Sequence, residues 1–219
     1  MLPRVLEPEV MDTPEEARDY DAMDHSAVNR VFVADFLAAW DGRGPVLDLG
    51  TGTALIPIEF CRQSPAGDVV AVDAAAHMIA LARENVRRAG FASRIKLELV
   101  DAKGMPFPAR SFPALMSNSI VHHIPDPRTV FAEIARVAAP GATIFVRDLL
   151  RPADAATLRH LVETYAGDAN AHQKAMLAES LHAALTVAEV RELVAAIGFD
   201  PARVRQTTDR HWTWVKTGN

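Results

Sequence analysis

Val46-Leu47-Asp48-Leu49-Gly50-Thr51-Gly52-Thr53-Ala54 is an apolar run broken by two glycines. Pro45 to Leu49 has the length and branched-chain content of a buried strand. Gly50-Thr51-Gly52 follows, where a backbone without Cβ can turn sharply and come close to a ligand. Thr53 to Gln63 then predicts a helix, with Pro57 tolerable because first-turn N–H groups have no intrahelical partner. Strand, glycine turn and helix in succession open a βαβ unit whose ligand-facing loop lies at the carboxyl end of the strand. Such a loop is shared by several nucleotide-binding folds and by plain tight turns, so it indicates an architecture before it indicates a ligand.

Downstream the alternation continues, as in a parallel α/β sheet. Val69 to Val72 predicts a second strand ending at Asp73, and Ala75 to Ala89 a helix. Met78, Ala82, Val86 and Ala89 share one face of that helix, and Gly90 stops it. Ile95 to Val100 alternates as a third strand ending at Asp101, and Ala114 to Ser117 is a fourth. Asp126-Pro127 opens a helix burying Val130, Phe131, Ile134 and Val137. Pro140-Gly141 is expected to end it, ahead of a fifth strand from Ala142 to Val146. Thr186 with Glu189 forms a capping box before the stripe Val190, Leu193, Val194 and Ile197. Val204–Thr208 and His211–Val215 close the chain as two strands around Asp209-Arg210. Residues 1–44, helical from Ala27 to Trp40, and the helical insertion 152–185 fall outside the alternation. Additions at the ligand edge can cover it, so both are expected to act as a lid. The whole, 1–219, is expected to be a single domain, with 45–150 as its core and 186–219 as its closing helix and strand pair.

Spacing narrows the ligand. Asp73 lies 21 residues after Gly52; an acid there can accept both hydroxyls of a ribose, as in other nucleoside-binding α/β folds. Asp101 can accept an adenine amino hydrogen, and the N–H of Ala102 can donate to a ring nitrogen. Met78, one turn into the next helix, lies either against adenine or in the core.

Taken together, Val46 to Gly52, Val70-Ala71-Val72-Asp73, Asp101-Ala102 with Met105-Pro106-Phe107, Ser117-Asn118-Ser119-Ile120-Val121-His122-His123-Ile124, and Pro140-Gly141-Ala142 resemble the class I methyltransferases that use S-adenosylmethionine (SAM). The resemblance is to the small-molecule group with a methyltransferase-11 type of domain, and it covers about residues 45–150. It implies a seven-stranded Rossmann-like α/β sheet of order 3-2-1-4-5-7-6 with the last strand antiparallel. It implies SAM as cofactor, with Asp48, Gly50, Thr51 and Gly52 at its methionine part, Asp73 and Ala74 at the ribose, Met78, Asp101 and Ala102 at adenine, and Ser117 near the transferring methyl. Two positions depart from the family pattern. Ala54 replaces the loop's third glycine, and Ala75 stands where a serine is frequent.

On the acceptor side, His122 and His123 follow the fourth strand. A neutral imidazole there can take a proton from an oxygen, nitrogen or sulfur nucleophile; the bland alternative is a backbone cap beside an exposed ring. Tyr20 and His25 in the N-terminal segment, and Arg147, Asp148 and Arg151 after the fifth strand, are further substrate candidates, each with a surface role as its alternative. Metal binding is not expected, because an extended chain would point the two histidines apart and no Cys/His/carboxylate set has ligand spacing. Cys61 reads as a small buried hydrophobe.

The totals restrict the setting. The chain has 219 residues, 49% of them apolar, and a net charge of −5. No Lys/Arg-rich stretch supports a phosphate-driven nucleic-acid role. No apolar run is long enough to span a membrane. Met1 to Glu16 lacks the form of a secretory signal, and one cysteine allows no internal disulfide, so a cytoplasmic monomer or homodimer acting on a small molecule is expected. Two rivals share the glycine loop. An NAD-dependent oxidoreductase also needs the acid at Asp73, but would ordinarily complete the loop with a glycine where Ala54-Leu55-Ile56 stands. A non-catalytic SAM-binding protein would keep every cofactor residue and lack turnover.

Overall fold

The computed structural model describes residues 2–7 and 12–218. Its helices are α1 (Pro14–Asp21), α2 (Ser26–Ala39), α3 (Leu55–Gln63), α4 (Ala76–Ala89), α5 (Arg128–Val137), α6 (Ala155–Ala166), α7 (Ala171–Ala183) and α8 (Val187–Ala196). Its strands are β1 (Val46–Leu49), β2 (Val69–Asp73), β3 (Ile95–Leu99), β4 (Phe112–Asn118), β5 (Ala138–Leu149), β6 (Val204–Gln206) and β7 (His211–Lys216). They form one sheet of order β3-β2-β1-β4-β5-β7-β6, the order implied by the resemblance. β1 runs parallel to β2 and β4, β2 parallel to β3, and β6 antiparallel to β7.

The described residues divide into two compact units. One unit comprises residues 12–118, 129–146 and 215–218. Every side chain of β1 is buried, as the apolar run predicted. α4 buries Met78, Ile79, Ala82 and Val86 and ends at Gly90, whose φ of +79° gives the left-handed cap. α2 is a core helix rather than a cover. Phe32, Val33 and Phe36 lie on one face, fully buried in a cluster with Ile58, Phe60, Val86, Met116 and Phe145. α1, which no apolar stripe announced, packs on α4. Pro140-Gly141 does not separate α5 from a later strand. The helix ends at Val137 and β5 starts at Ala138, with Gly141 at φ +71° inside it.

The other unit comprises residues 2–7, 119–128 and 147–214. The predicted insertion is two helices, α6 and α7. Leu161 and Leu181 pack with Leu149 and Ala184, joined by Leu158, Val162 and Leu177. Asp154 caps α6, and Asn170 with Gln173 forms a capping box on α7. The predicted Thr186–Glu189 box is present on α8. The first residues of the chain strap this unit. Arg4 Nε donates to the Ala183 carbonyl at 2.7 Å, and its other nitrogens donate to the carbonyls of His122, Ile124 and Pro125.

Candidate functional site

β1 and β2 deliver the glycine loop and Asp73 side by side. Gly50 and Gly52 have φ of +68° and +55°, where a side chain is strained. Asp73 Oδ2 accepts the Gly52 N–H at 2.7 Å, and Oδ1 accepts the Ala75 N–H at 2.9 Å. The carboxylate therefore ties the loop to the start of α4. Ala54 closes the loop with φ +64°, the conformation a glycine would take most cheaply. Thr53 Oγ1 is buried without a hydrogen-bond partner, and Asp48 Oδ2 and Thr51 Oγ1 are buried with at most each other as partner. Buried polar atoms are nearly always satisfied, so this under-satisfied group beside one glycine loop fits a polar ligand completing the site. The Asp48 carboxyl titrates at about 7. Burial raises it most, the Thr51 hydroxyl opposes this, and the Asp73 charge adds to it.

Tyr20 belongs to this loop. A Cβ built on Gly52 would lie 3.6 Å from its ring edge. Burial, with Asp73 next in effect, pushes its hydroxyl up to about 12, so it stays protonated. His25 stacks on Tyr20 at 4.7 Å between ring centroids, and its Nε2 lies 3.2 Å from the Tyr20 carbonyl. Asn85 pins α1 here by donating to Asp21 and to the Thr53 carbonyl. Nothing local in the sequence marked Asn85, because its partners lie far away along the chain.

Other cofactor candidates are placed less openly. Asp101 is exposed and paired with the backbone N–H and ammonium of Lys103. Ala102 is buried and Ala74 exposed. Met78 is buried with Ala17 and Ala75. Ser117 is buried at the end of β4, its hydroxyl donating to the Leu49 carbonyl at 3.0 Å.

In the other unit, Val121-His122-His123 is a 3₁₀ turn. His122 is buried, with Nδ1 at 2.5 Å from Asp148 Oδ1. Asp148 is held in turn by the N–H groups of Val121 and Leu149, both at 2.6 Å. The pair is a buried carboxylate–imidazole dyad with the carboxylate on Nδ1. Desolvation works to lower the His122 pKa, but the Asp148 charge and hydrogen bond outweigh it, and the net displacement is upward. Asp148 is displaced downward: burial opposes this, and the imidazole with two backbone donors prevails. His123 is less buried and faces Glu7.

Arg147, Asp148 and Arg151 do not converge. Arg147 Nε donates to Thr213 Oγ1 at 3.0 Å, and Arg151 donates to Glu189 at 2.6 Å and to the Ala184 carbonyl. The expectation that the histidines point apart also fails. A 3₁₀ turn replaces the extended chain and brings their rings to 4.1 Å, so that Glu7, His122 and His123 cluster. Glu7 carried no local signal.

A family model described as a methyltransferase domain matches residues 46–141. Residues 46–141, less than half of the chain, are therefore similar to a methyltransferase domain. A ubiquinone/menaquinone biosynthesis C-methyltransferase of Geobacter sulfurreducens is 31% identical over 114 residues, 52% of this chain and 44% of that protein. The chain spans less than half the length of the curated relatives it matches. Among solved structures, a SAM-dependent methyltransferase from Aquifex aeolicus superposes with a TM-score of 0.65 at 18% identity, over 93% of this chain and 97% of that one. A Haemonchus contortus phosphoethanolamine N-methyltransferase, solved with phosphomonomethylethanolamine and S-adenosylhomocysteine, gives 0.64 at 18% identity, over 85% and 42%. These likenesses show the methyltransferase fold. S-adenosylhomocysteine is bound in that Haemonchus enzyme, and the glycine loop with the buried polar atoms beside it fits a polar ligand of that kind. No described helix is long and apolar enough to cross a membrane.

Proposed function

We propose that the chain transfers a methyl group from SAM to a small-molecule nucleophile. Gly50 to Thr53 and Asp48 take the methionine part, Asp73 the ribose, and Asp101 with Ala102 the adenine. The observation that carries this is the glycine loop, where the buried oxygens of Asp48, Thr51 and Thr53, at most paired among themselves, lie beside Asp73. SAM supplies a methyl already activated on a sulfonium, so the protein's work is alignment and exclusion of water. Tyr20 supports exclusion, since its ring covers Gly52 while its proton stays in place at any working pH.

His122 is the proposed base on the acceptor side. With its Nδ1–H directed to Asp148, its Nε2 carries the lone pair that accepts the acceptor's proton. His123 also faces a carboxylate, Glu7 at 2.9 Å from its Nδ1, so the choice of His122 rests on the deeper burial of its pair with Asp148. A monomer or homodimer in the cytoplasm, as expected from sequence, is part of the proposal.

The test is formation of S-adenosylhomocysteine from SAM with a panel of oxygen, nitrogen, sulfur and carbon acceptors and a small-metabolite extract. Acceptor-dependent product is expected, and Asp73→Ala should weaken SAM binding at least tenfold with the fold intact. That loss corresponds to one charge-assisted hydrogen bond of roughly 1.5–3 kcal/mol. Tight SAM binding with no product from any acceptor would replace the reading by the non-catalytic one.

A further inference from the structure

Glu7, His122 and His123 aim ligand-type atoms at one point. Glu7 Oε1 lies 2.9 Å from His123 Nδ1 and 3.4 Å from His122 Nε2, and all three residues' ligand atoms fall within 4.8 Å of one another. Around a tetrahedral ion with ligands at about 2.0–2.1 Å, neighbouring donor atoms are about 3.3 Å apart. The spacing is that of a coordination sphere.

Two further observations point the same way. Glu7 Oε1 and His123 Nδ1 are buried, and although 2.9 Å apart neither has a hydrogen bond of acceptable geometry. A shared cation would satisfy both buried atoms more fully than this ion-pair contact does. The outer shell is also built. Asp148 holds Nδ1 of His122 and directs Nε2 toward Glu7, the carboxylate–histidine arrangement that orients metal ligands. Ser180 Oγ donates to the other Glu7 oxygen at 3.0 Å. Arg4 lies beside the cluster with opposing charge, and its donors are taken by four backbone carbonyls.

We propose that Glu7, His122 and His123 bind a divalent first-row transition ion, with a further position open to water or a ligand. Two imidazoles and a carboxylate suit Zn²⁺ and its neighbours rather than Mg²⁺ or Ca²⁺, which prefer all-oxygen shells. The site rests on geometry within one unit and needs neither SAM nor an acceptor. It does share His122 with the proposed base. A bound ion would occupy the Nε2 lone pair, so the loaded protein should transfer methyl groups more slowly until a chelator removes the ion.

The chain as it stands, without SAM, should be titrated with Zn²⁺ by calorimetry and with Co²⁺ by visible absorption. One ion per chain is expected, with the Co²⁺ bands of a low-coordinate nitrogen/oxygen site. Glu7→Gln and His123→Gln should each weaken binding at least tenfold, and Asp148→Asn about 10–100-fold through the lost outer shell. Circular dichroism on each variant separates lost ligation from lost fold. His77→Ala, removing an exposed His–Asp pair elsewhere, should change nothing. Absence of uptake, or equal uptake by Glu7→Gln and His123→Gln, overturns the site and leaves an ordinary Glu7–His123 ion pair. Methyl transfer by metal-free protein is unaffected by that outcome, so the two readings fail separately.

Discussion

At the scale of single residues, the two perturbed groups make opposite demands on pH. Asp48 titrates at about 7 in the folded chain and near 3.9 when unfolded. The folded state therefore binds more protons across that window, and stability falls as pH rises from about 4 to about 7. Asp48→Asn removes that dependence. Its melting temperature relative to wild type should climb from pH 5 to pH 7 and level off above; parallel melting curves across that range would remove the buried carboxyl from the account. His122 is displaced upward by Asp148, so its neutral, basic form appears only above the ordinary histidine range. The acid limb of kcat/KM should have its midpoint above about 6.5. Asp148→Asn should shift that limb to lower pH, because burial then opposes the charge with Glu7 as the remaining carboxylate beside the imidazole, and His122→Ala should cost about 10²–10⁴-fold in turnover. An unshifted limb in Asp148→Asn would assign the titration to another group. Asp148 was visible in the sequence only as one acid between two arginines, because its partner lies 26 residues away.

Among the elements, the glycine loop and α1 carry the sharpest expectation. Gly52 sits at φ +55°, so Gly52→Ala forces a left-handed conformation on a residue with Cβ. A loss of about 1–2 kcal/mol in urea unfolding is expected, since the space toward Tyr20 at 3.6 Å is ordinary contact and conformation is the main cost. SAM affinity should fall with it, because the Gly52 N–H is held by Asp73. A variant as stable as wild type would mean that the loop relaxes out of this conformation. α4 and α8 were readable because each has a stripe and a stop or cap within a few residues. α1 was not. Among its described side chains Ala17 is the buried apolar one, and its attachment comes from Tyr20 and from Asn85, which is 64 residues from Asp21.

For the molecule as a whole, ligand choice separates the surviving readings. S-adenosylhomocysteine at 100 times its dissociation constant should add roughly 2.7 kcal/mol to the unfolding free energy, and NAD should add nothing. Hydrogen exchange with the same ligand should slow in residues 50–54 and in α1 together, because Tyr20 and Asn85 join them. Stabilisation by NAD alone would restore the oxidoreductase. The lid expectation narrows accordingly: α1 lies on the loop, whereas α2 is built into the core.

The sequence by itself determined the alternating α/β order, the carboxyl-edge loop and the acids after β2 and β3. Those features are local: an apolar period, a glycine turn, an acid at a strand end, a cap three residues from its partner. It also supported SAM as cofactor, through several short motifs in one order. Only the tertiary structure decided that Asp148 belongs to His122, that Arg147 and Arg151 turn to separate partners, and that Glu7 meets both histidines. Each of these joins residues from 26 to more than 100 positions apart, and side chains commit to such partners only when the packed chain has set their distances and removed water from between them.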